Sequence, residues 1–164
     1  MKYILSESQY KLLQEQQDQK PFLIHSIDHF GGWDGLQKFL KYKGNPDYRL
    51  GEYLNLTEMK IESLGNLISI DHGGLYLSLS YPIKTLGKLR YVQGSCDLFD
   101  SSIESLGDLE YVGGYLDLRK TNVDSLGKLK EVKDLYLSDT ELARMYTRKQ
   151  IREMIKINGE LIMV

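Results

Sequence analysis

The segment His25-Ser26-Ile27-Asp28-His29 comes nearest to a metal site in residue type and spacing. On a helix, His25 and His29 would sit one turn apart with Asp28 alongside, a spacing that can hold zinc. The glutamate that follows the first histidine in a metalloprotease helix is replaced by Ser26. No cysteine lies nearby, and His72 has no evident mate. Two histidines of a capping helix, without a metal, are therefore expected. Cys96 is the single cysteine, so no internal disulfide forms, which fits a reducing compartment. It takes a leucine position of the pattern described below, and a buried, inert thiol is expected. There is no G-x-S-x-G or comparable nucleophile motif. Glycines come in pairs before expected strands rather than as a loop opening a helix, which argues against a phosphate cradle. The residues thus read as those of a non-enzyme with no catalytic, cofactor or metal site.

Composition narrows the classes further. The 164 residues carry 21 Lys+Arg against 23 Asp+Glu, a net charge of -2. A broad polyanion binder needs a large cationic field, which this balance does not supply. With 41% apolar and 27% charged residues, the chain resembles a globular domain rather than a disordered one. No apolar run approaches the roughly 20 residues of a membrane span. Met1-Lys2-Tyr3-Ile4-Leu5-Ser6-Glu7 turns polar too soon for a secretory signal.

Ser63-Leu64-Gly65, Thr85-Leu86-Gly87, Ser105-Leu106-Gly107 and Ser125-Leu126-Gly127 recur along the chain, the last three at a constant interval. Residues 95–114 and 115–134 align over their full length on the skeleton x-L-x-L-x-x-T-x-I-x-S-L-G-x-L-x-x-V-x-G. Leu54, Leu56, Ile61, Leu64, Leu67 and Ile70 give an earlier unit; Leu135, Leu137, Thr140 and Leu142 begin a last, shortened one. This pattern resembles a leucine-rich repeat over roughly residues 50–142. The resemblance implies an α/β repeat: a solenoid with a parallel sheet on its concave face, the short period leaving turns or extended segments outside. The usual Asn or Cys ladder residue is replaced by Ser101, Thr121 and Thr140, with Met59 in the first unit. Gly94, Gly113 and Gly114 suit tight turns before strands. Independently of family, Leu116, Leu118, Val123, Leu126, Leu129 and Val132 of one unit need neighbouring units to bury them. Each fully buried side chain contributes about 1.5–3 kcal/mol. One unit is longer. Aligned on its glycine pair, Leu75, Leu77 and Leu79 fall on the outward parity. Either a bulge returns them to the core, or they form an exposed apolar strip.

Caps are expected on the exposed ends of such a stack. Residues 1–20 read as a helix (Glu7 to Gln17, opened by a capping box) and a linker; 21–49 as a helical N-terminal cap; 143–164 as a cap helix and strand. Within the N-terminal cap, helices are expected at Pro21 to Phe30 and Gly35 to Tyr42, with Trp33, Phe39, Leu40 and Tyr48 covering the first unit. At the other end Thr147 caps a helix through Lys156, Asn158-Gly159 stops it, and Glu160 to Val164 is a strand. The opening Met1 to Gln16 resembles the start of many short proteins of large tailed bacteriophages, and the repeats are similar to phage-encoded leucine-rich repeats. That resemblance implies a head-packaged protein with a leader cut after a hydrophobic-x-Glu tripeptide, here Leu13-Gln14-Glu15. The alternative is an ordinary cap helix. It also implies location in the host cytoplasm or the virion interior.

The role expected from these residues is protein binding through the concave face. Asn55, Asp97, Asp117 and Tyr136 lie between paired leucines, with Tyr53, Tyr115, Phe99, Arg119 and Asp134 in flanking columns. An acidic, aromatic face suits a basic protein segment, the partner being a host or virion protein. Charge reversal at Asp117 is expected to abolish capture without changing stability. A solvated face, or a cation shared by Asp97 and Asp117, is the alternative. A nucleic-acid-associated or purely structural head protein is the rival class, resting on Arg144, Arg148, Lys149, Arg152 and Lys156, and on Lys88, Arg90, Lys128 and Lys130.

Overall fold

A computed structural model describes residues 20–163. The expected helix Glu7 to Gln17 and the tripeptide Leu13, Gln14, Glu15 lie outside them. The fold is α/β, with a large parallel sheet and few helices. No described helix is long and apolar enough to cross a membrane.

The sheet has two rows of short strands. The first contains β1 (Phe22–Ile24), β2 (Tyr48–Leu50), β5 (Leu67–Ile70), β8 (Tyr91–Val92) and β12 (Lys156–Ile157). The second contains β3 (Leu54–Asn55), β6 (Leu75–Tyr76), β9 (Cys96–Asp97) and β13 (Leu161–Ile162). β10 (Tyr111–Asp117) and β11 (Glu131–Tyr136) run through both rows, with the register shifting at the Gly113-Gly114 corner of β10. β4 (Lys60–Ile61) and β7 (Tyr81–Pro82) pair separately. Every pairing is parallel, and partners in register come from successive stretches of chain.

Register explains the hydrophobic pattern. Ile24, Leu50, Ile70, Val92, Val112 and Val132 align across the first row, and all are buried. Leu54, Leu75, Cys96, Leu116, Leu135 and Leu161 align across the second, also buried. Alternation along each strand sends the next residue outward.

Two corners recur. In the Ser/Thr-Leu-Gly triplets, the hydroxyls of Ser63, Thr85, Ser105 and Ser125 accept the N–H of the glycine two residues on, at 2.9–3.1 Å. The leucine between is buried, and Gly65, Gly87, Gly107 and Gly127 take φ from +54° to +62°. The other corner places Glu58, Leu79, Asp100, Lys120 and Asp139 at φ from +52° to +60°. The glycines before the second-row strands act differently from expectation. Gly94, Gly113 and Gly114 have no positive φ; a Cβ on Gly94 would come within 2.4 Å of the Gly73 carbonyl oxygen, and one on Gly113 within 2.0 Å of that of Gln93. They are there because neighbouring chain passes too close for a side chain.

The longer unit carries one extra residue in the corner before Leu75. Leu75 and Leu77 thereby return to the core, while Leu79 is 42% exposed at the left-handed corner. The hydroxyl ladder includes Ser80, between Met59 and Ser101. Ser80 Oγ donates to the Leu56 carbonyl, Thr121 and Thr140 to those of Leu118 and Leu137, each at 2.6 Å.

The ends differ from the sequence reading. Pro21 to Phe30 is not a helix: β1 pairs with β2, and only Ile27–Phe30 forms a 3-10 helix, N-capped by Ser26 and ended by Gly31 at φ +76°. Pairing with a neighbouring strand satisfies the backbone of Phe22–Ile24 in a way a short local helix does not. Helix α1 (Trp33–Tyr42) begins earlier than expected, with Trp33, Leu36 and Leu40 buried. Tyr48 is fully buried; its hydroxyl donates to the Leu64 carbonyl at 2.7 Å, and burial pushes its pKa up. After α2 (Glu141–Met145), Thr147 forms a capping box opening α3 (Arg148–Met154). That helix stops before Lys156, which belongs to β12, and Asn158-Gly159 is the corner between β12 and β13 rather than a helix stop. The C-terminal segment thus adds a last pair of strands to the sheet.

Candidate interaction face

Asn55, Tyr76, Asp97, Asp117, Tyr136 and Ile162 stand in register across the second row, facing away from the core leucines. Tyr76 is the residue that sequence reasoning missed. Alignment on the glycine pair puts it on the wrong parity; alignment on the strand leucines, with the extra residue in the corner, would have found it.

The side-chain oxygens of the Asn and Asp residues in this row are first of all turn formers. Asn55, Asp97 and Asp117 each accept, through Oδ1, the backbone N–H two residues on, from Thr57, Phe99 and Arg119, at 3.0 Å. This local bond closes the chain after each strand. Beyond that the two aspartates part company. Asp117 is only 3% exposed and binds Arg119 bidentately, Nε to Oδ1 at 2.9 Å and Nη2 to Oδ2 at 2.5 Å. The hydrogen bond to Asp117 raises the Arg119 pKa. Asp97 is half-buried and has no ion pair among the described residues.

Aromatic rings surround this pair. The Arg119 guanidinium lies over Phe99 at 5.3 Å and over Tyr136 at 5.6 Å, and Tyr115 stacks on Tyr136 at 5.7 Å with 18° between planes. Burial, then the nearby Asp97 charge, raises the Tyr115 pKa. Asp97, Phe99, Tyr115, Asp117, Arg119 and Tyr136 are therefore brought together. Tyr53 (59% exposed) and Asn55 lie at the N-terminal end of the row, while Asp134 is in register with Tyr115 and accepts the Glu160 N–H.

The remaining candidates are separated from this face. His25 follows β1 and His29 lies in the 3-10 helix, so they do not share a helical turn. Among the described residues no three metal-ligating side chains cluster. Cys96 is fully buried, which pushes its pKa up, the Asp97 charge adding to the effect. The basic residues are engaged. Lys88 pairs with Asp47 at 2.8 Å and Lys128 with Asp108 at 2.6 Å, while Arg90 and Lys130 share Glu110. Arg144 pairs with Glu141, Lys149 with Glu153 and Lys156 with Glu131. Arg148 donates to the carbonyls of Leu161 and Met163, and Arg152 to those of Ile157 and Gly159. No family model matches the chain, and no curated protein or solved structure matches it.

Proposed function

We propose that the chain is a short-period leucine-rich-repeat solenoid that works as a non-enzymatic protein-binding module. The recurring corners and in-register leucines support the solenoid reading. The observation that carries the binding reading is Asp97: a half-buried carboxylate without an ion pair, in register between Tyr76 and Asp117 and beside Phe99 and Tyr115. Arg119 acts on Asp97 only at longer range, so a lysine or arginine of a partner would supply the direct ion pair that Asp97 lacks among the described residues, with Tyr76 and Tyr115 beside it to cover its alkyl stem. The net charge of -2, without the broad cationic field that nucleic-acid binding needs, favours this over nucleic-acid association.

The test is photo-crosslinking in the native source. A photoreactive residue at Tyr76 and one at Tyr136 should give the same protein adduct. Placed at Glu104, whose side chain pairs with Lys84 at another part of the coil, it should give none. Asp97→Lys should remove the adduct. Equal crosslinking from Glu104, or adducts indifferent to Asp97→Lys, would overturn the reading.

A further inference from the structure

The first row carries an outward column of its own: Arg49, Ser69, Tyr91, Tyr111 and Glu131, in register on successive strands. Tyr91 and Tyr111 stack with centroids 4.8 Å apart and planes within 6°. Tyr111 covers one face of the Tyr91 ring. The other face turns to the next strand, where the column has only a serine. Tyr91 remains 39% exposed. An open groove of about 330 Å³ lies there, lined by Ile68, Ser69, Arg90, Tyr91, Glu110 and Tyr111. That volume is at the small end of ligand sites.

The charges beside the groove are unbalanced. Glu110 accepts from both Arg90 (Nε at 2.8 Å) and Lys130, so two cations share one carboxylate. Across Ser69, Arg49 reaches Asp71 through one 3.3 Å contact, and its buried Nε has no hydrogen-bond partner among the described residues. Asp71 is itself held by the Ser69 hydroxyl at 2.6 Å. The exposed Tyr91 ring therefore shares its groove with the Arg90 guanidinium and one net positive charge at the Glu110 cluster, while Arg49 stands in register beyond Ser69, outside the lining.

We propose that this groove binds a planar aromatic ring bearing an anionic group, the chemistry of a nucleoside monophosphate. The ring extends the Tyr111–Tyr91 stack over Ser69, and the anion meets Arg90, whose carboxylate partner Glu110 is shared with Lys130. Guanidinium groups suit both tasks, since they stack on rings and donate to phosphate oxygens. The site uses stacking and side-chain donors, not the phosphate-cradling glycine loop that the sequence lacks. It lies on the other strand row from Asp97, so it stands or falls independently of the protein-binding reading.

The experiment is an amide NMR titration of the full chain with uridine 5′-monophosphate. Uridine serves as the control without the anion, and ribose 5-phosphate as the control without the ring. Shifts should concentrate at Ser69, Tyr91 and Tyr111. Each control should bind about tenfold more weakly, the size of effect expected from losing one stacked ring or one charge-assisted contact. Tyr91→Leu keeps a strand-compatible side chain without the ring, and should weaken nucleotide binding by a similar factor. The proposal is overturned if the nucleotide gives no localised shifts in the unaltered chain, if either control matches it, or if a folded Tyr91→Leu binds as well.

Discussion

Asp97 and Asp117 share a residue type, a strand position and a turn-closing hydrogen bond, yet only one lacks an ion pair. What separates them is the residue two positions on: Phe99 after Asp97, Arg119 after Asp117. A carboxylate followed by arginine gains a direct ion pair; one followed by phenylalanine does not, and meets Arg119 only at longer range. The expectation that Asp117 could be reversed without harm is therefore corrected, because it is nearly buried and bidentately paired. Asp117→Lys should cost about 1–3 kcal/mol, losing the ion pair and the bond to the Arg119 N–H while burying a cation beside a cation. Asp97→Asn keeps the turn-closing oxygen and should leave the melting temperature nearly unchanged, while removing the charge a basic partner would meet. Thermal melts of the two variants check this; equal losses would show that both aspartates are structural.

At the scale of elements, β12 and β13 pair only with β11 among the described residues, leaving the problem of a sheet edge. The answer lies one helix away. Arg148 and Arg152, one turn apart on α3, donate to carbonyls of Ile157, Gly159, Leu161 and Met163. The helix thus binds backbone groups that a further strand could use. Replacing both arginines with alanine should expose that edge, and sedimentation velocity should then show more concentration-dependent association than the unaltered chain does. Unchanged sedimentation would mean that the rest of the cap suffices. The basic character of this helix was legible in the sequence; its target was not, since the carbonyls it meets depend on where β12 and β13 fold.

Across the whole molecule, ion pairs tie successive stretches of chain together on the surface: Lys84–Glu104, Lys128–Asp108, and Glu110 with Arg90 and Lys130. Hydrogen bonds from Lys130 and Arg90 pull the Glu110 pKa down to about 2, and those from Asn158 and Lys156 lower that of Glu131. Groups with depressed folded pKa values add stability that is fully present above their unfolded pKa and is lost as pH falls through the folded value. The urea midpoint should therefore fall on acidification from about pH 4.5 toward pH 2, and Glu110→Gln should flatten that slope. An unchanged slope would assign the acid sensitivity to other carboxylates. The sequence by itself determined the recurring Ser/Thr-Leu-Gly spacing, the core leucines of the regular units and the helix start at Thr147, because each depends on residues a few positions apart or on an alternation that any burying partner satisfies. Tertiary structure alone decided the strand at Phe22–Ile24, the inward turn of Leu75 and Leu77, the outward place of Tyr76 and the closure of Asp117 by Arg119. Those outcomes depend on which stretch of chain lies in register alongside, and one inserted corner residue changes that register without leaving a local signal.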